Sequence, residues 1–173
     1  MFKVGDKVIY TVHGAGTIVD IQEIEILGNT ESYYILQLPI NDIKVSVPVK
    51  EAEEQGMRPI ISKEEGMRVW DILRSDKTAM SKNWGKRYRD NLELLKTGDI
   101  FEIADIVRNL ALLDMSKGLS ASEKKMLNDA KRVMASELIL SGTLSKEEAI
   151  KLIDEAIANE KSEETEWLIE FFE

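Results

Sequence analysis

Apolar and polar residues alternate through the first 60 residues, and the spacing then changes to threes and fours. In VGDKVIYT (4–11), AGTIVDIQEIEIL (15–27), SYYILQL (32–38) and IKVSVPV (43–49), β-branched and aromatic residues dominate. A period of two gives a strand one face for a core and one for water. HGAG (13–16), LGNTE (27–31) and PIND (39–42) separate these runs with turn residues. Four or five short strands joined by tight turns predict a small, strongly bent sheet or barrel of the Tudor or SH3-like kind. Gly14 and Gly16 fit a hairpin turn; a phosphate loop would need GxxxxGK then Ser or Thr between strand and helix, which the sequence lacks.

Beyond the connector EQGMRPIIS (54–62), helix starts are well marked. Ser62 with Glu65, Ser120 with Glu123 and Ser145 with Glu148 fit the capping box, and Asp99 with Glu102 is a weaker form of it. Helices are predicted near 63–74, 84–96, 100–115, 121–141, 146–158 and 163–172. Apolar stripes such as Ile103, Ile106, Val107 and Leu110, or Met126, Leu127, Ala130, Val133, Met134 and Leu138, call for packing of helix on helix. The predicted fold is α+β: a small Tudor/SH3-like β barrel over 1–55, a linker over 56–62 and an all-α helical domain over 63–173, of which 142–173 is an acidic helical extension.

Composition narrows the chemistry. The 173 residues are 43% hydrophobic with no apolar run near the length of a membrane span, and MFKVGDKVIY has neither the basic nor the apolar region of a signal peptide. A cytoplasmic protein without membrane contact is expected. With no cysteine and one histidine, His13, the chain has no disulfide, thiolate metal site or imidazole cluster. No serine lies in a GxSxG setting, and no carboxylates or other groups converge as catalysis needs. Glu53 with Glu54, and Glu163 with Glu164, suit solvated charge better than a cation site. The expectation is a binding protein with no cofactor, metal, small-molecule substrate or catalytic residue.

A net charge of -9 argues against a nucleic-acid partner until its distribution is considered. Residues 81–141 hold 11 Lys+Arg against 9 Asp+Glu, whereas residues 142–173 hold 3 against 10. Two basic clusters fall in the helical part: Lys82, Lys86, Arg87 and Arg89, then Lys124 and Lys125 just inside the helix that Ser120 caps. Lysines near a helix N-terminus suit a phosphate, since free N–H groups and the dipole act with them; the same residues also suit the solvated face of a helix.

The first cluster surrounds a tryptophan, in SKNWGKRYRDN (81–91). Trp84, Tyr88, Leu92 and Leu95 share one helical stripe, which assigns Trp84 to the core. Asn83 can be the N-cap, however, which puts Trp84 in the first turn, where a stripe residue can project past the edge of its domain. Trp70 and Trp167 have no such basic surroundings and read as packing residues.

FKVGDKVIYTVHGAGTIVDI, VSVPV, NWGKRYRDNLELLKTGDIFEIADIVRNL and GLSASEKKMLNDAKRVMASEL, in that order and spacing, resemble the CarD/CdnL family of bacterial transcription regulators. The resemblance runs from residue 2 to about 141. It implies an N-terminal Tudor-like domain that binds the RNA polymerase β subunit, similar to that of the transcription-repair coupling factor. It further implies a helical domain that binds promoter DNA at the upstream edge of the bubble and stabilises the open complex. Carried over to this chain, Trp84 would be a minor-groove wedge, with Asn83, Lys82, Lys86, Arg87, Arg89, Lys124 and Lys125 on the DNA side. Glu23, Ile24, Glu25, Lys44, Val45, Ser46 and Val47 would form the polymerase face. The chain departs from the pattern where relatives can carry arginine, at Ile24 and Ser46, and has Thr11 where a proline often follows the first-strand tyrosine. A polymerase adaptor whose helical domain binds another protein, and an RNA-binding module, remain alternatives.

Overall fold

The structure is a computed structural model and describes residues 1–40, 42–142 and 145–158. Its N-terminal part is one antiparallel sheet of β1 (Lys7–Tyr10), β2 (Gly14–Ile26), β3 (Asn29–Gln37), β4 (Lys44–Pro48) and β5 (Arg58–Pro59), in the order β4-β3-β2-β1-β5. The long β2 serves two neighbours. Its first residues pair with β1, and from Thr17 to Ile26 it pairs with β3, with a bulge between Ile18 and Asp20. A bulge bends a strand and increases its twist, so the core-facing set changes register there. Val8, Tyr10, Ile18, Tyr34, Leu36 and Val47 form the small core with Ala52 and Met57.

Two elements of this part depart from the expectation. Val49, assigned to the last strand, opens a helix, α1 (Val49–Glu54), whose EAEE run favours helix and whose Ala52 completes the core. The connector over 56–62 contributes β5, which pairs Val8 with Pro59 and Ile9 with Arg58. A two-residue edge strand has no room to show a period in the sequence.

The helical part comprises α2 (Lys63–Arg74), α3 (Trp84–Lys96), α4 (Ile100–Lys117), α5 (Ala121–Ser141) and α6 (Lys146–Ile157). The capping serines and Asp99 stand at the starts of α2, α4, α5 and α6, each accepting a backbone N–H of the first turn, and Ser62 with Glu65 forms the full capping box. Trp70, Ile103, Val107, Leu110, Met134 and Ile153 lie in one core shared by these helices. The helix expected at 163–172, with Trp167, lies outside the described residues. Among the described residues no helix is long and apolar enough to cross a membrane.

Sheet and helices are joined by a buried polar junction. Glu137 of α5 accepts two hydrogen bonds from Arg58, at 2.6 and 3.1 Å, and the Ile61 N–H at 3.0 Å. Arg58 also donates to the Gly98 carbonyl at 2.8 Å. Ser136 Oγ accepts the Ala15 N–H at 2.8 Å, and a Cβ at Gly14, whose φ is +96°, would stand 2.8 Å from that oxygen. Gly14 therefore does more than turn the hairpin: it lets β2 lie directly on α5.

Candidate nucleic-acid interface

The route to the site begins at Arg108, whose side chain is 2% exposed. It donates to the Ile72 carbonyl at 2.9 Å and to Ser75 Oγ at 2.8 Å, and is paired with Asp105. Asn109, next in sequence, accepts the Thr78 N–H at 3.0 Å and donates to Thr78 Oγ1 at 2.8 Å. Together they fix to α4 the start of the segment that leads from α2 to α3. Charged and amide side chains buried in a helix stripe are found at this depth only when satisfied. Neither residue was a candidate from the sequence, where an Arg-Asn pair inside an apolar stripe was the available signal.

At the far end of this segment α3 starts. Asn83 Oδ1 accepts the Lys86 N–H at 2.9 Å, so the side chain is occupied as the N-cap. Trp84 is the first residue of α3 and is 61% exposed. The stripe predicted through Tyr88, Leu92 and Leu95 does pack on the helical core. Trp84 lies one turn beyond its end, in solvent, as a first-turn residue on a helix that overhangs its support.

The basic residues divide into two kinds. Arg87 is buried in use: Nε and Nη2 donate to the two carboxylate oxygens of Glu123 at 2.6 and 3.0 Å, and Nη1 donates to the Ser81 carbonyl at 3.0 Å. Its side chain is 11% exposed and that of Glu123 1%, so the guanidinium is not presented to an outside phosphate. Lys82, Arg89 and Lys124 are exposed and make no ion pair among the described residues. Lys86 and Lys125 are exposed and reach Asp90 and Asp129, each at 2.7 Å, in single-turn surface pairs. Such pairs contribute little and can be exchanged for an external anion.

Glu123 was legible as the capping-box partner of Ser120, and Ser120 Oγ does accept its N–H at 3.2 Å. The carboxylate accepts from Ser120 Oγ at 3.2 Å and also from Arg87. Burial alone would raise the Glu123 carboxyl, but the hydrogen bonds and charge of Arg87, with those of Ser120, outweigh it and hold the group below the ordinary carboxylate range. The pair ties the first turn of α3 to the first turn of α5. The positive ends of two helices are thus held side by side, with Trp84 and Lys86 in the first turn of one and Lys124 and Lys125 near the start of the other.

The residues expected on the polymerase face are less convergent. Among the described residues β4 pairs only with β3 and has one free edge. Ile24 lies opposite Glu31 and Ser46 opposite Ile35, which puts both on one face of the sheet with Tyr33 between them. Glu23 and Glu25 point to the other face, Lys44 ends the strand in solvent, Val45 is half-buried, and Val47 is 1% exposed in the core. Only the backbone of Val47 is available to a partner.

A five-stranded antiparallel sheet followed by a helical bundle is an α+β architecture, a Tudor-like domain and then a helical domain. The CarD-like/TRCF RID domain family matches residues 2–61, and the CarD C-terminal domain family matches residues 68–154. A relative from Bacillus subtilis (strain 168), "Putative transcription factor YdeB", is 34% identical over 148 residues, covering 85% of this chain and 97% of that protein. The chain belongs to the CarD family.

Proposed function

We propose that this protein regulates transcription initiation by binding the RNA polymerase β subunit through its sheet domain and promoter DNA through α3 and α5, stabilising the open complex. The observation that carries the proposal is Trp84, 61% exposed at the tip of a helix held by a buried ion pair. Tryptophan, with a large apolar face and one N–H donor, is enriched at contact surfaces. The match to a CarD-like/TRCF RID domain supports polymerase as the partner of the sheet.

In this reading Trp84 enters the widened minor groove at the upstream edge of the bubble. Its indole face covers an unstacked step, an exchange worth about 1–3 kcal/mol per base, and closing the duplex must first expel it. Lys82, Lys86, Arg89, Lys124 and Lys125 hold phosphates on either side, which sets position without reading sequence. Asn83 acts through the helix cap and Arg87 through Glu123: both are positioning residues that aim the tryptophan. The polymerase contact uses the free edge of β4, where a partner strand can be added, and the face carrying Ile24, Tyr33 and Ser46. Promoter choice then belongs to polymerase, and DNA binding by the protein alone is weak and salt-sensitive.

The test is a promoter-opening assay with purified polymerase. Trp84→Ala shortens open-complex lifetime about tenfold, the ratio for 1.4 kcal/mol, with polymerase affinity and melting temperature unchanged. An unaltered lifetime, or a large loss of thermal stability, overturns the assignment.

A further inference from the structure

Strands β2 and β3 outrun their neighbours. β1 pairs with β2 only as far as Thr17, and β4 pairs with β3 only from Tyr33 onward, so residues 22–26 and 29–32 form a two-stranded ribbon that reaches about 14 Å past the sheet. All residues from 22 to 32 are exposed except Ile24, which is half-buried. Such a ribbon is marginal in water by itself.

Its apolar residues do not serve the fold. Ile24 and Ile26 lie on the face they share with Tyr33, and Leu27 at the tip is 98% exposed. Leu27 and Gly28 are the two turn residues, with φ of +52° and +82°. A turn of this kind favours Asn-Gly or Asp-Gly, because a branched apolar side chain in the left-handed region crowds its own backbone. Leu27 is therefore strained, exposed and without an apolar neighbour to reward it. Strain kept at an exposed position is a mark of contact.

Charge indicates what that contact is. Residues 17–37 carry Asp20, Glu23, Glu25 and Glu31 and no Lys, Arg or His. Glu23, Glu25 and Glu31 make no ion pair among the described residues. Four like charges repel a phosphate backbone and favour a protein surface that sets cations around an apolar pocket. The ribbon also continues the face of Ile24, Tyr33 and Ser46, with Glu23 and Glu25 directed to the opposite side from Ser46.

We propose that the ribbon tip anchors the polymerase contact: Leu27 and Ile26 enter an apolar pocket of the β subunit, and Glu23, Glu25 and Glu31 meet cations on the rim of that pocket. The inference rests on the polymerase reading above and adds a side-chain anchor to the backbone pairing offered by β4.

Interferometry with immobilised polymerase core enzyme and the full chain tests it. Leu27→Asn suits the turn, so its melting temperature equals or exceeds that of wild type, while polymerase affinity falls about tenfold, mainly through faster dissociation. Glu23→Gln, Glu25→Gln and Glu31→Gln together slow association at low salt and flatten its salt dependence. Wild-type affinity in Leu27→Asn overturns the anchor and leaves the polymerase reading standing, whereas a wild-type chain that does not bind polymerase refutes both. A lower melting temperature in Leu27→Asn also overturns it, since the leucine would then serve the fold. So does dimerisation of the wild type that Leu27→Asn abolishes, which makes a second copy the occupant. An unchanged salt dependence in the triple variant overturns the cationic rim.

Discussion

Arg87 and Lys86 are neighbours in sequence and differ in what the fold asks of them. Removing Arg87 leaves the Glu123 carboxylate buried without its partner, whereas Lys86 loses only a surface pair to Asp90. Arg87→Ala is therefore expected to cost about 3–5 kcal/mol and Lys86→Ala less than about 0.5 kcal/mol, as denaturant melts would measure. DNA affinity should fall in the Lys86 variant without loss of stability. Glu123 adds a pH dependence. Its carboxyl is held below the ordinary range in the folded protein, so its contribution is complete above about pH 4.3 and is lost as pH falls through the lower folded value. Melts between pH 5 and 3 should show wild type losing more stability than Glu123→Gln; parallel curves would mean that the pair does not titrate as its surroundings require.

At the scale of elements, caps and stripes located α2 through α6 to within a few residues, because each start carries a side chain that satisfies orphan N–H groups locally. The sequence could not show where the support under α3 ends. Periodicity assigns a residue to a face of a helix, and a neighbouring element decides whether that face is covered. In the sheet, alternation marked β2 and β3, but the bulge at Ile18/Asp20 was not legible because no glycine or turn residue marks it in IVDI. Ser46 is exposed on the free-edged strand β4 and shares a face with Ile24. If that face meets polymerase through complementary charge, Ser46→Arg should tighten binding in a pull-down or interferometry titration, more so at low salt, by adding a cation to it. An unchanged affinity would remove β4 from the contact.

For the molecule as a whole, the junction holding sheet to helices sets, in the function proposed, the distance between the polymerase and DNA surfaces. Arg58, Glu137, Ser136, Gly14 and Gly98 meet there, from four separate places in the sequence. Gly14→Ala would bring a Cβ to 2.8 Å from Ser136 Oγ at a φ of +96°, which strains the turn and displaces the hydroxyl from the Ala15 N–H that ties the two domains. The expected result is a lower melting temperature and a reduced open-complex lifetime with Trp84 itself untouched. A variant that melts lower yet opens promoters normally would show that the relative placement of the two domains is not critical.

The sequence by itself determined the two-part α+β organisation, the helix starts, the lack of cysteine chemistry and the family resemblance, since period, caps and composition are local properties carried by each segment. Tertiary structure decided the rest. It placed Trp84 in solvent because α3 overhangs its neighbours, and withdrew Arg87 and Val47 from any outer surface because Glu123 and the sheet core enclose them. It also brought Arg108 and Asn109 under the segment leading to α3. Exposure and pairing depend on which distant residues arrive beside a side chain, and the spacing of a single chain carries no record of that.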